Sequence, residues 1–338
     1  MKRLFFLLAF MLIAVLVFSQ QRYIALHSNG EVNFFGHPTT AFNDAYTAAN
    51  SGDTLYLPGG LFAPPANFAK GLTIIGAGHY PDSTQATGKT IINGNVVLKT
   101  GADNFYLEGL EVTGIFQIGY ETWARDTVEN ITVKRCKING AINCIANSSV
   151  DRVAFIQSVL IGNMAANYFI NTAVFNCIIQ GNMQNSNQNV FEHNVFLSST
   201  YADGITGNNN IIINNIFVRE YSWEVNGNGN QIHNNITVKT PTFNGIGNDT
   251  LNNYVVNRDD LLINQSGTTF DYSHDYHLQS PASYLGTDGT QVGIYGGVYP
   301  YKEGAVPSNP HISSKVIAPQ TNSSGELQIE INVNAQDE

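Results

Sequence analysis

Between Phe105 and Val256 one short pattern returns roughly every twenty residues. It reads LEGLEV from Leu107, VKRCKI from Val133, FIQSVL from Phe155 and VFNCII from Val174, then FEHNVF from Phe191, IINNIF from Ile212 and IHNNIT from Ile232. The fourth position runs Leu110, Cys136, Ser158, Cys177, Asn194, Asn215, Asn235. An apolar residue stands three before it, and an apolar residue or Thr two after it. Glycine follows four residues later in the first copies, at Gly114, Gly140, Gly162 and Gly181. A unit this short cannot bury its own apolar side chains. Stacked copies can, so the period predicts a solenoid.

Two solenoids compete for this period. Ile131-x-Val133-x-x-Cys136-x-Ile138 fits part of a leucine-rich repeat. The apolar positions nevertheless mix Val, Ile and Phe. The stretches between them are rich in Asn, Gly and Ser without a helical period, which favours turns over helices. A parallel β-helix accounts for both features, because equivalent residues of successive coils stack about 4.8 Å apart. Asn194, Asn215 and Asn235 then form an inward ladder whose amides satisfy turn backbone, continued by Cys177, Ser158 and Cys136. In this register Asn214, one residue earlier, is an exposed turn residue. The fold class predicted is all-β: a right-handed parallel β-helix of about ten coils with a short N-terminal capping helix and a C-terminal strand tail.

Residues 1–20 read as a signal peptide. Lys2 and Arg3 precede an apolar run from Leu4 to Phe18 that is too short to span a bilayer comfortably, with a cut expected near Gln20. No later run is apolar enough for a membrane span, so a secreted or cell-surface location is expected. Charged residues make up only 12% of the chain and the net charge is −10, which argues against a nucleic-acid partner. Cys136 and Cys177 share a coil position with the Ser158 coil between them. That places them roughly 9–10 Å apart by strand spacing, beyond the ~7 Å reach of a disulfide. All three cysteines are therefore expected to be free and buried.

Thr40 followed by AFNDAYTAA from Ala41 has helical spacing with an N-cap and would cover the open end of the first coil. The stretch after it, Gly52-Asp53-Thr54-Leu55-Tyr56-Leu57-Pro58-Gly59, with Gly71-Leu72-Thr73-Ile74-Ile75-Gly76 and Thr90-Ile91-Ile92-Asn93-Gly94, resembles the early coils of the pectin lyase-like superfamily. The phrases His277-Leu278-Gln279 with Pro281-Ala282-Ser283, and Val292-Gly293-Ile294-Tyr295-Gly296-Gly297, resemble the closing coils of secreted β-helix proteins of Bacteroidetes-type bacteria. The resemblance implies the fold over about residues 36–257. It leaves function open among lyases, hydrolases, epimerases, adhesins and domains without chemistry. The chain divides into a signal peptide (1–20), a β-helix domain (21–300), and a linker at 302–310 leading to a tail strand at Glu326–Val333 (301–338 together).

No nucleophile, metal or phosphate-loop motif is present. His27, His37, His79 and His274 read as surface or turn residues, and His274, Asp275 and His277 as a polar turn before the last coil. Coil stacking brings one set of residues to a shared offset. Asp203 and Glu224 stand nine beyond their ladder positions and could lie about 5 Å apart, while Arg219 and Lys239 stand four beyond theirs. Asp203, Arg219 and Glu224 are thus the catalytic candidates, and Tyr201, Glu220, Tyr221 and Trp223 the substrate-binding ones. Glu192 and His193 precede the ladder at Asn194. Pectate lyases of this fold use an Asp-rich calcium site and an Arg base. Only Arg219 matches that pattern, so no cofactor is expected, and a calcium ion has no motif behind it. Two functions stand: an exported protein that interacts with polysaccharide, as a lyase or hydrolase homologue or a non-catalytic relative, and a structural or adhesive surface solenoid.

Overall fold

The computed structural model describes residues 22–36, 39–121, 123, 125–165, 169–197, 204–219 and 224–335. The segment read as a signal peptide lies outside them. The chain winds into a parallel β-solenoid of about nine turns. Each full turn contributes one short strand to each of three sheets. The first sheet carries Tyr106–Glu108, Thr127–Lys134, Ser149–Ile156, Ala173–Phe175, Val190–Glu192, Ile211–Ile213 and Gln231–His233 in successive parallel register. A two-residue corner follows each, and then a strand of the second sheet, such as Val195–Phe196 or Ile216–Phe217. The third sheet closes the turn with strands such as Ile142–Cys144 and Met164–Ala165.

The corner carries the predicted ladder. Cys136 N–H donates to Ser158 Oγ (3.1 Å), Ser158 N–H to Cys177 Sγ (3.4 Å), and Cys177 N–H to Asn194 Oδ1 (2.9 Å). The backbone N–H of Asn194, Asn215 and Asn235 then donates to Oδ1 of Asn215, Asn235 and Asn253 at 2.9–3.0 Å. Each of these amides also donates back to a carbonyl of an earlier coil, Asn215 to Phe191 O at 2.8 Å. The ladder works because an amide has both a donor and an acceptor. One side chain spans two coil spacings and leaves no buried corner N–H unpaired. A second ladder stands five residues earlier, where the N–H groups of Asn189, Asn210 and Asn230 donate to Oδ1 of Asn210, Asn230 and Asn248 at 2.8–3.0 Å.

The glycine row has a steric cause. A Cβ on Gly140 would lie 2.4 Å from Gly114 O, and one on Gly162 would lie 2.2 Å from Gly140 O. Successive backbones pass too closely there for any side chain. The interior is filled by Leu107, Val133, Phe155, Val174, Phe191, Ile212 and Ile232 from the first sheet and by their counterparts on the other two. Cys136, Cys144 and Cys177 are free and buried, and burial pushes the Cys177 thiol up to about 12.

The helix α1 (Ala41–Ala48) caps the first coil, with Phe42 and Tyr46 against Phe68 at ring-centroid distances of 5.9 and 5.3 Å. Thr40 is its N-cap residue, yet its hydroxyl donates to the Asp44 carboxylate (2.7 Å) and accepts no capping N–H from the helix backbone. Ahead of α1, Ile24–Ser28 and Glu31–Phe35 extend the first sheet in antiparallel fashion. No helix among the described residues is long and apolar enough to cross a membrane.

The C-terminal quarter departs from the expected linker and tail. From Val256 onward the chain folds back over the outside of the second sheet. There Val159, Ile178, Val195, Ile216 and Ile236 form a second buried cluster with Leu261, Tyr276, Leu278, Ile294 and Tyr301. Ala305, Val306 and Pro307, within the expected linker, are buried. The tail strand is observed at Ile329–Asn334 and pairs antiparallel with His311–Ile317. Its alternate residues Ile329, Ile331 and Val333 remain exposed.

Candidate functional site

Residues 284–307 form a strap that runs back along the solenoid, opposite to the direction in which the coils advance. The residue before each ladder position turns outward to hold it. Its backbone is left-handed in every coil, with φ between 51° and 61° at Arg135, Gln157, Asn176, His193, Asn214 and Asn234. Asn234 Nδ2 donates to Leu285 O, and Asn214 exchanges hydrogen bonds with Thr287. Asn176 donates to Ile294 O and Gly296 O, Gln157 to Pro300 O, and Arg135 to Val306 O. Asn214, expected on an exposed turn, is fully buried under the strap. The left-handed conformation causes this, because it lets two consecutive side chains leave the same corner, one inward and one outward.

Where the strap and the loop after Ile75 meet, they enclose an open cleft of about 420 Å³. Tyr80, Tyr272 and Tyr295 are half-buried in its walls, while Tyr276 and Tyr301 are buried beneath. Asp82, Asp275, Glu303 and His274 supply its polar groups. The tyrosines are held in place by one another: Tyr80 Oη lies 2.8 Å from Tyr301 Oη, and Tyr272 stands edge-on to Tyr80 at 4.8 Å. Tyr295 stacks on His277 at 3.6 Å and donates to Glu303 (3.1 Å). Burial raises the Tyr80 phenol to about 12. Asp275 binds His277 Nδ1 at 2.7 Å, and its carboxyl is held low: burial pushes it up, but the hydrogen bonds and charge of His277 outweigh that. The polar turn expected at 274–277 is therefore part of a cleft wall, on the strand Asp275–Leu278.

Beside the cleft is an ionic group built on the buried Glu111. Glu111 pairs with Lys89 (2.9 Å) and Lys137 (3.3 Å) and accepts from Asn139. Both lysines sit over the Tyr272 ring, at 5.7 and 5.2 Å. Burial pushes the Glu111 carboxyl up, and the hydrogen bonds from Asn139 and Lys89 with the charge of Lys137 more than reverse this, to about 2. His79, expected at a surface turn, is fully buried, and desolvation lowers it to about 3.

A third cluster lies under the strap. Glu192, His193 and Asp288 place one ligand atom each within 4.8 Å of the others. Desolvation, helped by the Asp288 charge, raises the Glu192 carboxyl.

Of the residues singled out by coil stacking, Tyr201, Asp203, Glu220, Tyr221 and Trp223 lie outside the described residues, as does the side chain of Glu224. Arg219 is buried and Lys239 exposed, so their shared offset gives them different surroundings. The cleft tyrosines escaped the sequence reading because they come from segments 190 and more residues apart, outside the repeat. No protein-family model, no curated protein and no solved structure matches the chain.

Proposed function

We propose that the protein is an exported β-solenoid that binds a neutral glycan in the tyrosine-lined cleft. The observation that carries this is the combination of half-buried tyrosines with three carboxylates around one concave space of about 420 Å³. Sugar rings offer apolar C–H faces that pack on aromatic rings, and hydroxyls that donate to carboxylates. A pocket with a few placed polar groups in an aromatic lining suits such a ligand. Asp82, Asp275 and Glu303 give the cleft a negative rim, which disfavours uronates and favours uncharged sugars. The basic and apolar character of residues 2–18 supports export.

The test is calorimetric titration of the protein with neutral oligosaccharides and with oligouronides, comparing wild type with Tyr272→Ala and Tyr295→Ala. Neutral sugars should bind, and each variant should bind at least tenfold more weakly. Binding of uronates alone, or binding that survives both substitutions, would remove the cleft from the reading. Assaying the same mixtures for new reducing or unsaturated ends separates a lyase or hydrolase from a binding protein.

The second reading, a structural or adhesive solenoid, is favoured by the C-terminal hairpin, where Ile329, Ile331 and Val333 are exposed. A face of that kind suits assembly. Failure to bind any glycan, with self-association abolished by Ile331→Lys, would support it over the first.

A further inference from the structure

The geometry points to a second site, independent of the cleft: we propose that Glu192, His193 and Asp288 bind one divalent first-row transition ion of the zinc class, which ties the strap to the solenoid. Glu192 and His193 close a strand of the first sheet and open its corner, while Asp288 belongs to the strap. Around His193 Nε2, Asp288 Oδ2 lies at 3.2 Å and Glu192 Oε1 at 3.9 Å. Ligand atoms sharing one ion at about 2.0–2.2 Å stand roughly 3–4 Å from each other, so small side-chain movements suffice.

The polarity of the neighbours supplies the stronger argument. Nδ1 of His193 lies 3.2 Å from Gly293 O, which can only accept, so Nδ1 carries the ring proton. Asn214 is oriented by the Thr287 N–H, which donates to its Oδ1 at 2.8 Å. Its Nδ2 therefore faces His193 Nε2 at 3.2 Å and Glu192 Oε1 at 3.5 Å. A donor facing Nε2 marks a lone pair there, which a bound ion would take over while the Asn214 amide keeps Thr287 Oγ1 (3.1 Å) and Glu192 Oε1 as its acceptors. Nε2 and the two carboxylate oxygens are then acceptors gathered around one point, an arrangement a cation satisfies. A ligating histidine typically has its other ring nitrogen donating to a backbone carbonyl, which fixes tautomer and ring orientation.

The ring is also rigidly placed. A Cβ on Gly296 or Gly297 would come within 2.8 or 2.6 Å of its atoms. His193 is 1% exposed, whereas Glu192 and Asp288 are 29% and 31% exposed, so an ion can enter and water can complete its shell. One imidazole with two carboxylates suits zinc and its first-row neighbours. Calcium prefers six to eight oxygens.

The experiment titrates zinc chloride, and separately calcium chloride, into chelator-treated full-length protein at neutral pH. Glu192→Gln and Asp288→Asn keep the size of part-exposed side chains, and circular dichroism verifies their folding. Asp275→Asn disrupts another His–carboxylate pair, remote from the strap cluster, as a control. The expected result is one zinc per chain at micromolar or better affinity, much weaker calcium binding, and a loss of at least tenfold in both variants but not in the control. Zinc should also raise the Tm of wild type and leave that of Asp288→Asn unchanged. No zinc uptake, uptake unaffected by both substitutions, or calcium bound more tightly than zinc would overturn the proposal.

Discussion

Asn214 and Asn215 are neighbours in one corner and do different work. Asn215 points inward, and its amide joins coil to coil, bonding the backbone of Asn194 and Phe191 and the side chain of Asn235. Asn214 points outward and joins the coil to a strap more than seventy residues away in sequence. The rows they belong to, Cys136 to Asn253 inside and Arg135 to Asn234 outside, share the corner and differ in partner. The inner row bonds to copies of itself, so its chemistry repeats. The outer row bonds to one segment that does not repeat, and its members vary accordingly: Arg, Gln, Asn, His, Asn, Asn. Loss of an inner partner should disturb the whole stack, and loss of an outer one should free the strap.

The largest effect is expected from Asn215→Leu. Each buried group left without a partner costs roughly 1–3 kcal/mol, and several are orphaned here, so a loss of ~3 kcal/mol or more should appear in the denaturation midpoint. Asn214→Ala should cost about 1–3 kcal/mol, well above the ~0.5 kcal/mol of an exposed turn position. Its characteristic sign would be earlier proteolysis within 284–307 than within the coils. Equal costs and equal proteolysis for the two variants would mean that the rows are not separable.

An acid titration sharpens the comparison at the junction between strap and solenoid. His79 has a folded pKa of about 3, below its unfolded value, so the unfolded chain takes up the proton first. Its contribution is complete above about pH 6.5 and is lost as pH falls toward 3, at up to about 1.4 kcal/mol per pH unit. Glu111, at about 2, adds a loss of the same sign between about pH 4.5 and 2. His79→Gln should flatten the stability profile between pH 6.5 and 4.5, read from urea midpoints. A profile unchanged by the substitution would mean that His79 is not the group responsible. The smallest effect, within about 0.5 kcal/mol, is expected for Ile246→Ser on an exposed coil tip.

The solenoid was legible because stacking forces like onto like. The period and the identity of the ladder residues follow from Cys136, Ser158, Cys177 and the asparagines alone. The second ladder, at Asn189, Asn210, Asn230 and Asn248, was equally present in the sequence, five residues before the first. The strap left one trace. The residue after each ladder position is Glu111 and Lys137 in early coils, then Val159, Ile178, Val195, Ile216 and Ile236. An outward position that turns apolar marks a covered face, yet a search for the inward pattern at −3 and +2 passes over it. The rest could not be read, because the strap is held largely through its backbone carbonyls, which any residue supplies. The cleft depends on where that strap ends up, and no local spacing encodes it.

Hydrogen exchange of Asn214→Ala against wild type tests the division of labour between the two rows most directly. The Thr287 amide donates to the Asn214 side chain and the Gly293 amide to its backbone carbonyl, while the Asn215 amide donates within the ladder. The account predicts that Thr287, Gly293 and their strap neighbours lose protection while the amides of Asn194, Asn215 and Asn235 keep theirs. Loss of protection in strap and ladder together, to the same extent, would contradict it.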